Sequence, residues 1–255
     1  VAMRVRARLA YDGTPFRGFA VNEGVRTVAG DLNAVLSRVV GCDVVVTCAG
    51  RTDRGVHAVG QVVSFDLPDE ADLGRVRRSV NRLCAPSIVM SAMEPAAPDF
   101  DARFSATGRT YRYRVLNRAD PDPFLSTTTW HVEAPLDTAT MNRAAGDLVG
   151  MHDFTSFCRR RRNPLSESAT VLVRRVEAAG WSGPDSDGVL VFEITASAFC
   201  HQMVRSIVGV LVRIGEGRLP ATAVSTVLAA HDRQEAGKPA PPRGLTLWSV
   251  RYPSD

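Results

Sequence analysis

The chain has 255 residues, 45% hydrophobic and 23% charged, enough apolar content for a full core and the length of one large domain or two ordinary ones. A formal net charge of +4 permits a polyanionic partner without demanding one, so charge placement has to decide. No stretch approaches the length of a membrane span, and Val1-Ala2-Met3-Arg4 enters an alternating strand without the apolar core of a signal peptide, so neither export nor membrane insertion is expected.

Arg4, Arg6 and Arg8 alternate with Val5, Ala7 and Leu9, the period of a strand with one wet face, and Tyr11-Asp12-Gly13 carries it into a turn. From Thr27 to Val40, the residues Val28, Leu32, Val35, Leu36 and Val39 fall on one helical stripe, with Thr27 as N-cap and Gly41 as the stop. The β-branched run Val44-Val45-Val46-Thr47 reads as a strand, and Gln61-Val62-Val63-Ser64-Phe65 as another, so the first part is α/β. Asp72 to Leu83 is a predicted helix rich in arginine, whose charged face suits phosphate and plain solvent equally. Around Pro95 to Asp101, Ala and Pro replace the periodic patterns and mark a boundary, dividing a domain of residues 1–105 from one of residues 106–255.

The second part opens on Thr110-Tyr111-Arg112-Tyr113-Arg114-Val115-Leu116, an aromatic and basic alternation that reads as a strand. A helix follows from Asp137 to Gly150, then strands at Thr170 to Ala179 and Val189 to Ala196, helices at His201 to Ile214 and Pro220 to Ala230, and a closing strand from Leu245 to Tyr252. The expected class is therefore α/β (α+β), two sheet-and-helix domains of related architecture, although no sequence repeat joins them.

Between two of the predicted strands, Gly50-Arg51-Thr52-Asp53-Arg54-Gly55-Val56-His57 sets one carboxylate between two guanidiniums in a glycine-bracketed turn. Such an Asp serves as a nucleophile toward an electrophilic ligand, while Arg51 and Arg54 draw a polyanion to the same place. Asp between glycines is also ordinary turn chemistry, and spacing alone leaves both readings open. The sharpest charge cluster is Arg159-Arg160-Arg161-Arg162, suited to an RNA backbone or to a solvated loop. Lys238 is the only lysine among 31 basic residues, a bias that genome composition explains as readily as RNA binding. The five cysteines, Cys42, Cys48, Cys84, Cys158 and Cys200, form no C-x-x-C pair, so neither a zinc site nor a disulfide scaffold is expected and the cytosol is the natural compartment. His57, His152 and His201 make no metal constellation, and His57 reads as a structural imidazole.

The run Cys48 to His57, continuing through Gly60-Gln61-Val62-Val63, closely resembles the signature of the tRNA pseudouridine synthase A family. Other segments resembling family landmarks follow in order: Tyr11-Asp12-Gly13, Ala102 to Thr107 before Arg109 to Tyr113, Asp153 to Phe157, His201 to Gly209, Gly244-Leu245 and Tyr252-Pro253. The resemblance covers essentially the whole chain. It implies a pseudouridine synthase fold with an active-site cleft between the two domains, and isomerisation of uridine to pseudouridine in the anticodon stem-loop of tRNA, at positions 38 to 40. It also implies a homodimer in the cytoplasm, with no cofactor and no metal. By matching family positions it makes Asp53 the nucleophile, Tyr111 the platform under the target base, and Leu245 a residue packed beneath it. Arg205 matches an arginine near the catalytic Asp, and since arginine on an otherwise apolar helix turn is rarely left unpaired, an Asp53–Arg205 ion pair is expected. Arg51 is expected to hold the carboxylate charged, its alternatives being a phosphate contact or a turn bond.

Two departures bear on the substrate. The family usually has Gly-Trp-Gln followed by a further Gln where this chain has Gly18-Phe19-Ala20-Val21-Asn22, and Ala29-Gly30 stands where a Gln is common. A paralogue acting on another RNA is one rival reading, and a non-catalytic RNA-binding protein on the same scaffold is a second. The set Arg51, Asp53, Tyr111 and Arg205 argues against the second, because pure binding needs no nucleophile. A carboxylate glycosidase would need a second acid at defined separation, and none is evident.

Overall fold

The computed structural model describes residues 2–159 and 172–253. Arg160, Arg161 and Arg162 of the predicted basic run, and the first residues of the strand predicted from Thr170, lie outside them. The chain forms two compact units: residues 1–107 together with 246–255, and residues 108–245. The C-terminal strand thus belongs by its contacts to the first unit and not with the rest of the segment 106–255.

In the first unit, β1 (Ala2–Tyr11) lies between β3 (His57–Pro68) and β4 (Ile88–Pro95), both antiparallel to it. On the far side of β3, β10 (Leu245–Arg251) runs parallel, with Thr246 opposite His57 and Leu247 opposite Ala58. Val5, Ala7 and Leu9 are buried on one face of β1, as are Leu32 and Leu36 of α1 (Val28–Val40) and Val76 and Val80 of α2 (Leu73–Cys84). On the other face Arg4 pairs with Asp66 at 2.8 Å, and the Arg6 guanidinium lies 4.5 Å from the centre of the Tyr252 ring. The wet face read from the alternation is therefore real, though its arginine stems are partly covered.

Thr27 caps α1 as expected, its hydroxyl accepting the Gly30 N–H at 3.2 Å, and Gly41 ends the helix at a φ of 78°. The predicted strand at Val44 shrinks to β2, Thr47–Cys48. Side chains of α1 take its amides instead: Val44 N–H donates to the Ser37 hydroxyl at 2.9 Å and Val46 N–H to the Asn33 carbonyl at 3.0 Å. Local side-chain acceptors here displace a ladder that β-branched content alone would favour.

In the second unit the sheet order is β5 (Gly108–Leu116), β9 (Val189–Ala196), β8 (Val173–Ser182), β7 (Gly150–Asp153), with β6 (Trp130–His131) parallel on β5. Its helices are α3 (Thr138–Gly146), α4 (Met203–Gly215) and α5 (Ala223–Ala230). Every residue of α4 except Arg205 and Arg213 is buried, which explains its apolar sequence.

One disulfide is present that the sequence reading did not anticipate. Cys158, which follows a 3-10 turn at Thr155–Phe157, is bonded to Cys200, just ahead of α4, with 5.7 Å between their Cα atoms. The two stand 42 residues apart, so no local spacing announces the pair. Cys42, Cys48 and Cys84 lie outside the disulfide, and burial pushes the Cys84 thiol up to about 11.

Candidate active site

The segment bearing Asp53 leaves β2 and re-enters the sheet at β3, held by side chains distant in sequence. Gln61, fully buried on β3, closes its neck: the amide donates to the Gly50 carbonyl at 2.7 Å and its oxygen accepts the Gly50 N–H at 3.3 Å. The Tyr11 hydroxyl shares a 2.8 Å hydrogen bond with the Thr52 hydroxyl and receives the Gln61 amide at 3.3 Å. The Thr52 carbonyl accepts Phe19 N–H at 3.0 Å, and the Val56 N–H folds back on the Asp53 carbonyl at 3.1 Å, with Gly55 in the left-handed region at a φ of 75°. Thr52 and Val56 are therefore buried anchors, Asp53 between them is half-buried, and Arg51 and Arg54 are exposed. A fixed backbone presents one carboxylate, which is what a nucleophile requires.

The turn after β1 supports the same segment. Gly13 N–H donates to Nδ1 of buried His57 at 3.1 Å, and the Asp12 carboxylate stands 3.1 Å from that nitrogen. His57 is 6% exposed and lies against both residues of the turn, in the position of a structural clasp. Burial raises the Asp12 carboxyl, but the Thr14 hydroxyl and N–H that donate to it, together with His57, hold it below the ordinary range.

Removing the Tyr11 hydroxyl tests this scaffold. Tyr11→Phe deletes both hydrogen bonds among buried groups and is expected to cost about 1–2 kcal/mol. In a thermal melt the Tm should fall by roughly 2–6 °C, with the fold retained.

In the second unit Tyr111 and Tyr113 project from β5 to the same face, both buried. Their surroundings separate them. The Tyr113 hydroxyl donates to the Pro241 carbonyl at 2.7 Å, and the ring lies where any side chain on Gly244 would collide with it, so Tyr113 is core. Burial drives its phenol well above the ordinary range, against the opposing charges of Arg205 and Arg243. Tyr111 keeps 8% of its surface and meets the Phe199 ring edge-on, with 4.9 Å between centroids at 78°. Arg205 donates through Nε to the Ala240 carbonyl at 2.7 Å, while Ala240 N–H donates back to the Arg205 carbonyl at 2.9 Å. That double clamp fixes the guanidinium stem on α4. Leu245 is buried directly after a 3-10 turn at Pro242–Gly244. Tyr111, Arg205 and Leu245 thus share one unit, and Asp53 and Arg51 the other.

Among the described residues no group of three or more His, Cys, Asp or Glu is placed to hold a metal ion, and no helix is long and apolar enough to cross a membrane.

The family model described as tRNA pseudouridine synthase matches residues 144–253. The tRNA pseudouridine synthase A of Frankia casuarinae is 45% identical over 99% of this chain and 90% of its own length. The chain belongs to the tRNA pseudouridine synthase A family. Proteins of that name from Brevibacillus brevis and Halalkalibacterium halodurans are each 42% identical, over 98% and 95% of this chain and 99% and 90% of their own lengths. Membership of the tRNA pseudouridine synthase A family gives the departure at Phe19 a structural meaning. Phe19 is 2% exposed, packs against Tyr11 with 6.1 Å between ring centroids, and accepts the Ala29 N–H at 2.9 Å while its own N–H holds Thr52. Phe19, one of the departures read from the sequence, thus packs beside Thr52 of the Asp53 segment, while Val21 and Asn22 are exposed. Sequence reading did not single out Gln61, Thr52 or Phe19 as supports, although Gln61 stands inside the recognised signature.

Proposed function

We propose that this member of the tRNA pseudouridine synthase A family isomerises uridine to pseudouridine in the anticodon stem-loop of tRNA, at positions 38 to 40, with Asp53 as nucleophile. The observation that carries this reading is the half-buried Asp53 on a segment pinned at Gly50, Thr52 and Val56. A carboxylate oxygen of Asp53 adds to the uracil ring or to the sugar carbon, and the bond between sugar and nitrogen breaks. The freed base turns and rejoins through C5, which gives up its proton, so atoms are conserved and no cofactor is consumed. Tyr111 supplies a flat face for the extruded base, offsetting part of the few kcal/mol lost on leaving the stack. Arg205, clamped at Ala240, and exposed Arg51 are assigned to keeping Asp53 ionised and to binding phosphate, and Leu245 to packing beneath the base. The protein is assigned to the cytoplasm, where its substrate is, as a homodimer.

Two outcomes follow. Incubation with tRNA labelled with tritium at C5 of uridine should release label, and absence of release from every tRNA tested would refute the reading. Tyr111→Ala should lower kcat/KM about 10- to 100-fold, the worth of one base–aromatic stack, measured by the same release under subsaturating tRNA.

A further inference from the structure

The Cys158–Cys200 pair joins two segments that the backbone already holds together. Cys158 is buried, its N–H bonded to the Thr155 carbonyl at 3.3 Å. Cys200 is half-buried, and its carbonyl accepts Met203 N–H at 3.1 Å at the start of α4. The next residue along each strand of the link makes a second tie, Arg159 N–H to the His201 carbonyl at 2.9 Å. Alignment of the two sulfurs therefore does not depend on the bond between them, and the Cα separation of 5.7 Å lies in the range a disulfide spans without backbone movement. Cys200 lies just ahead of the N-terminus of a 13-residue helix, the end of a helix that attracts an anion. Cys200 as a residue is part-exposed and Cys158 is 1% exposed, the asymmetry expected of a pair in which one cysteine meets small reagents first.

We propose that Cys158 and Cys200 form a reversible dithiol–disulfide couple in the folded protein, with Cys200 the sulfur that reacts and Cys158 the one that resolves. Hydrogen peroxide oxidises it: the Cys200 thiolate attacks one peroxide oxygen, the O–O bond breaks, and hydroxide leaves and takes a proton as water. Cys158, giving up its proton, attacks the resulting sulfenic sulfur and expels a second water, so two thiols and one peroxide become one disulfide and two waters. A dithiol reductant reverses it: one thiolate attacks Cys200 and releases Cys158, and the second thiol frees Cys200 and leaves as the oxidised reductant. In the reducing compartment proposed above, only a couple of this kind would be populated in both states. Its consequence rests on the Tyr111 assignment. Phe199, adjacent to Cys200, is the ring set edge-on to Tyr111, so the sulfur bond anchors one wall of the proposed base platform.

The test equilibrates the whole chain in buffers of graded oxidised-to-reduced dithiothreitol, quenches with acid, alkylates under denaturing conditions and counts modified cysteines by intact mass. Expected are three at the oxidising end, Cys42, Cys48 and Cys84, and all five at the reducing end, in a single two-electron step that Cys200→Ser abolishes. Circular dichroism should show a cooperative melt in both states. Five modified cysteines at every ratio, or a pair that opens only on unfolding, would overturn the couple. Tritium release should fall about 3- to 10-fold in kcat/KM on reduction, and in Cys158→Ser it should no longer respond to redox state. Equal kcat/KM in both states overturns the link to Tyr111. Absence of release in both states would count against the proposed function instead, and the cysteine count then decides the couple alone.

Discussion

Asp53→Asn is expected to suppress tritium release in single turnovers by on the order of 10⁴-fold or more, because the amide keeps the size of the side chain and loses the nucleophilic oxygen. The main-chain bond from Val56 N–H to the Asp53 carbonyl survives the change, as do the ties at Gly50 and Thr52. The fold should therefore be retained, with a cooperative melt within about 6 °C of the native Tm as the carboxylate's own ion pairing is lost. The two readouts together separate chemistry from folding. A variant that melts normally and still releases label at a native rate would remove Asp53 from the mechanism, and leave its position between buried anchors as turn chemistry.

The largest structural effect is expected at Gly13. A Cβ there would overlap the Val56 carbonyl oxygen and fall 2.5 Å from its carbon and 2.9 Å from its nitrogen. No rotamer relieves that overlap, since the colliding atoms are backbone and Val56 is tied to Asp53. Gly13→Ala should also strain the bond from Gly13 N–H to His57. Expected are a loss of about 2–4 kcal/mol, seen as a Tm lower by roughly 4–16 °C, and kcat/KM down by about 100-fold as the Asp53 segment shifts. Gly24→Ala is the control: Gly24 has a φ of 74° but nothing within 4 Å of an added Cβ, so it should cost only about 1–2 kcal/mol of backbone strain and leave kcat/KM unchanged. Equal losses at the two positions would mean that the overlap at Val56 does not matter.

How much of this was legible in the chain depends on the range of the interaction. Period and caps located β1, α1, α2, β5, β9 and α4, because side chains within a few residues decide those elements. The strand expected at Val44 was lost to Asn33 and Ser37, whose side chains reach across from α1. Strand β4 went unread because Val89, exposed between buried Ile88 and Met90, is apolar as well, so its alternation is absent from the sequence. Position on the far side of the sheet was also hidden: β10 pairs with β3 across almost the whole chain.

The candidate site divides the same way. The string around Asp53 announces a presented carboxylate, and the ordered landmarks announce the family. What holds the carboxylate still is a set of long-range contacts, Tyr11 to Thr52 and Phe19 to Thr52, that no spacing rule contains. The cysteine pair is the sharpest instance, since Cys158 and Cys200 meet only because the turn after β7 is brought to the start of α4.

The most direct measurement maps pseudouridine at single-nucleotide resolution, by carbodiimide adduct formation and primer extension, in one tRNA transcript after incubation with the native chain and with Asp53→Asn. The expected result is new stops at positions 38 to 40 that have uridine, with the native chain only. Stops elsewhere in the tRNA with none in the anticodon stem-loop, or the same stops with both proteins, would contradict the account.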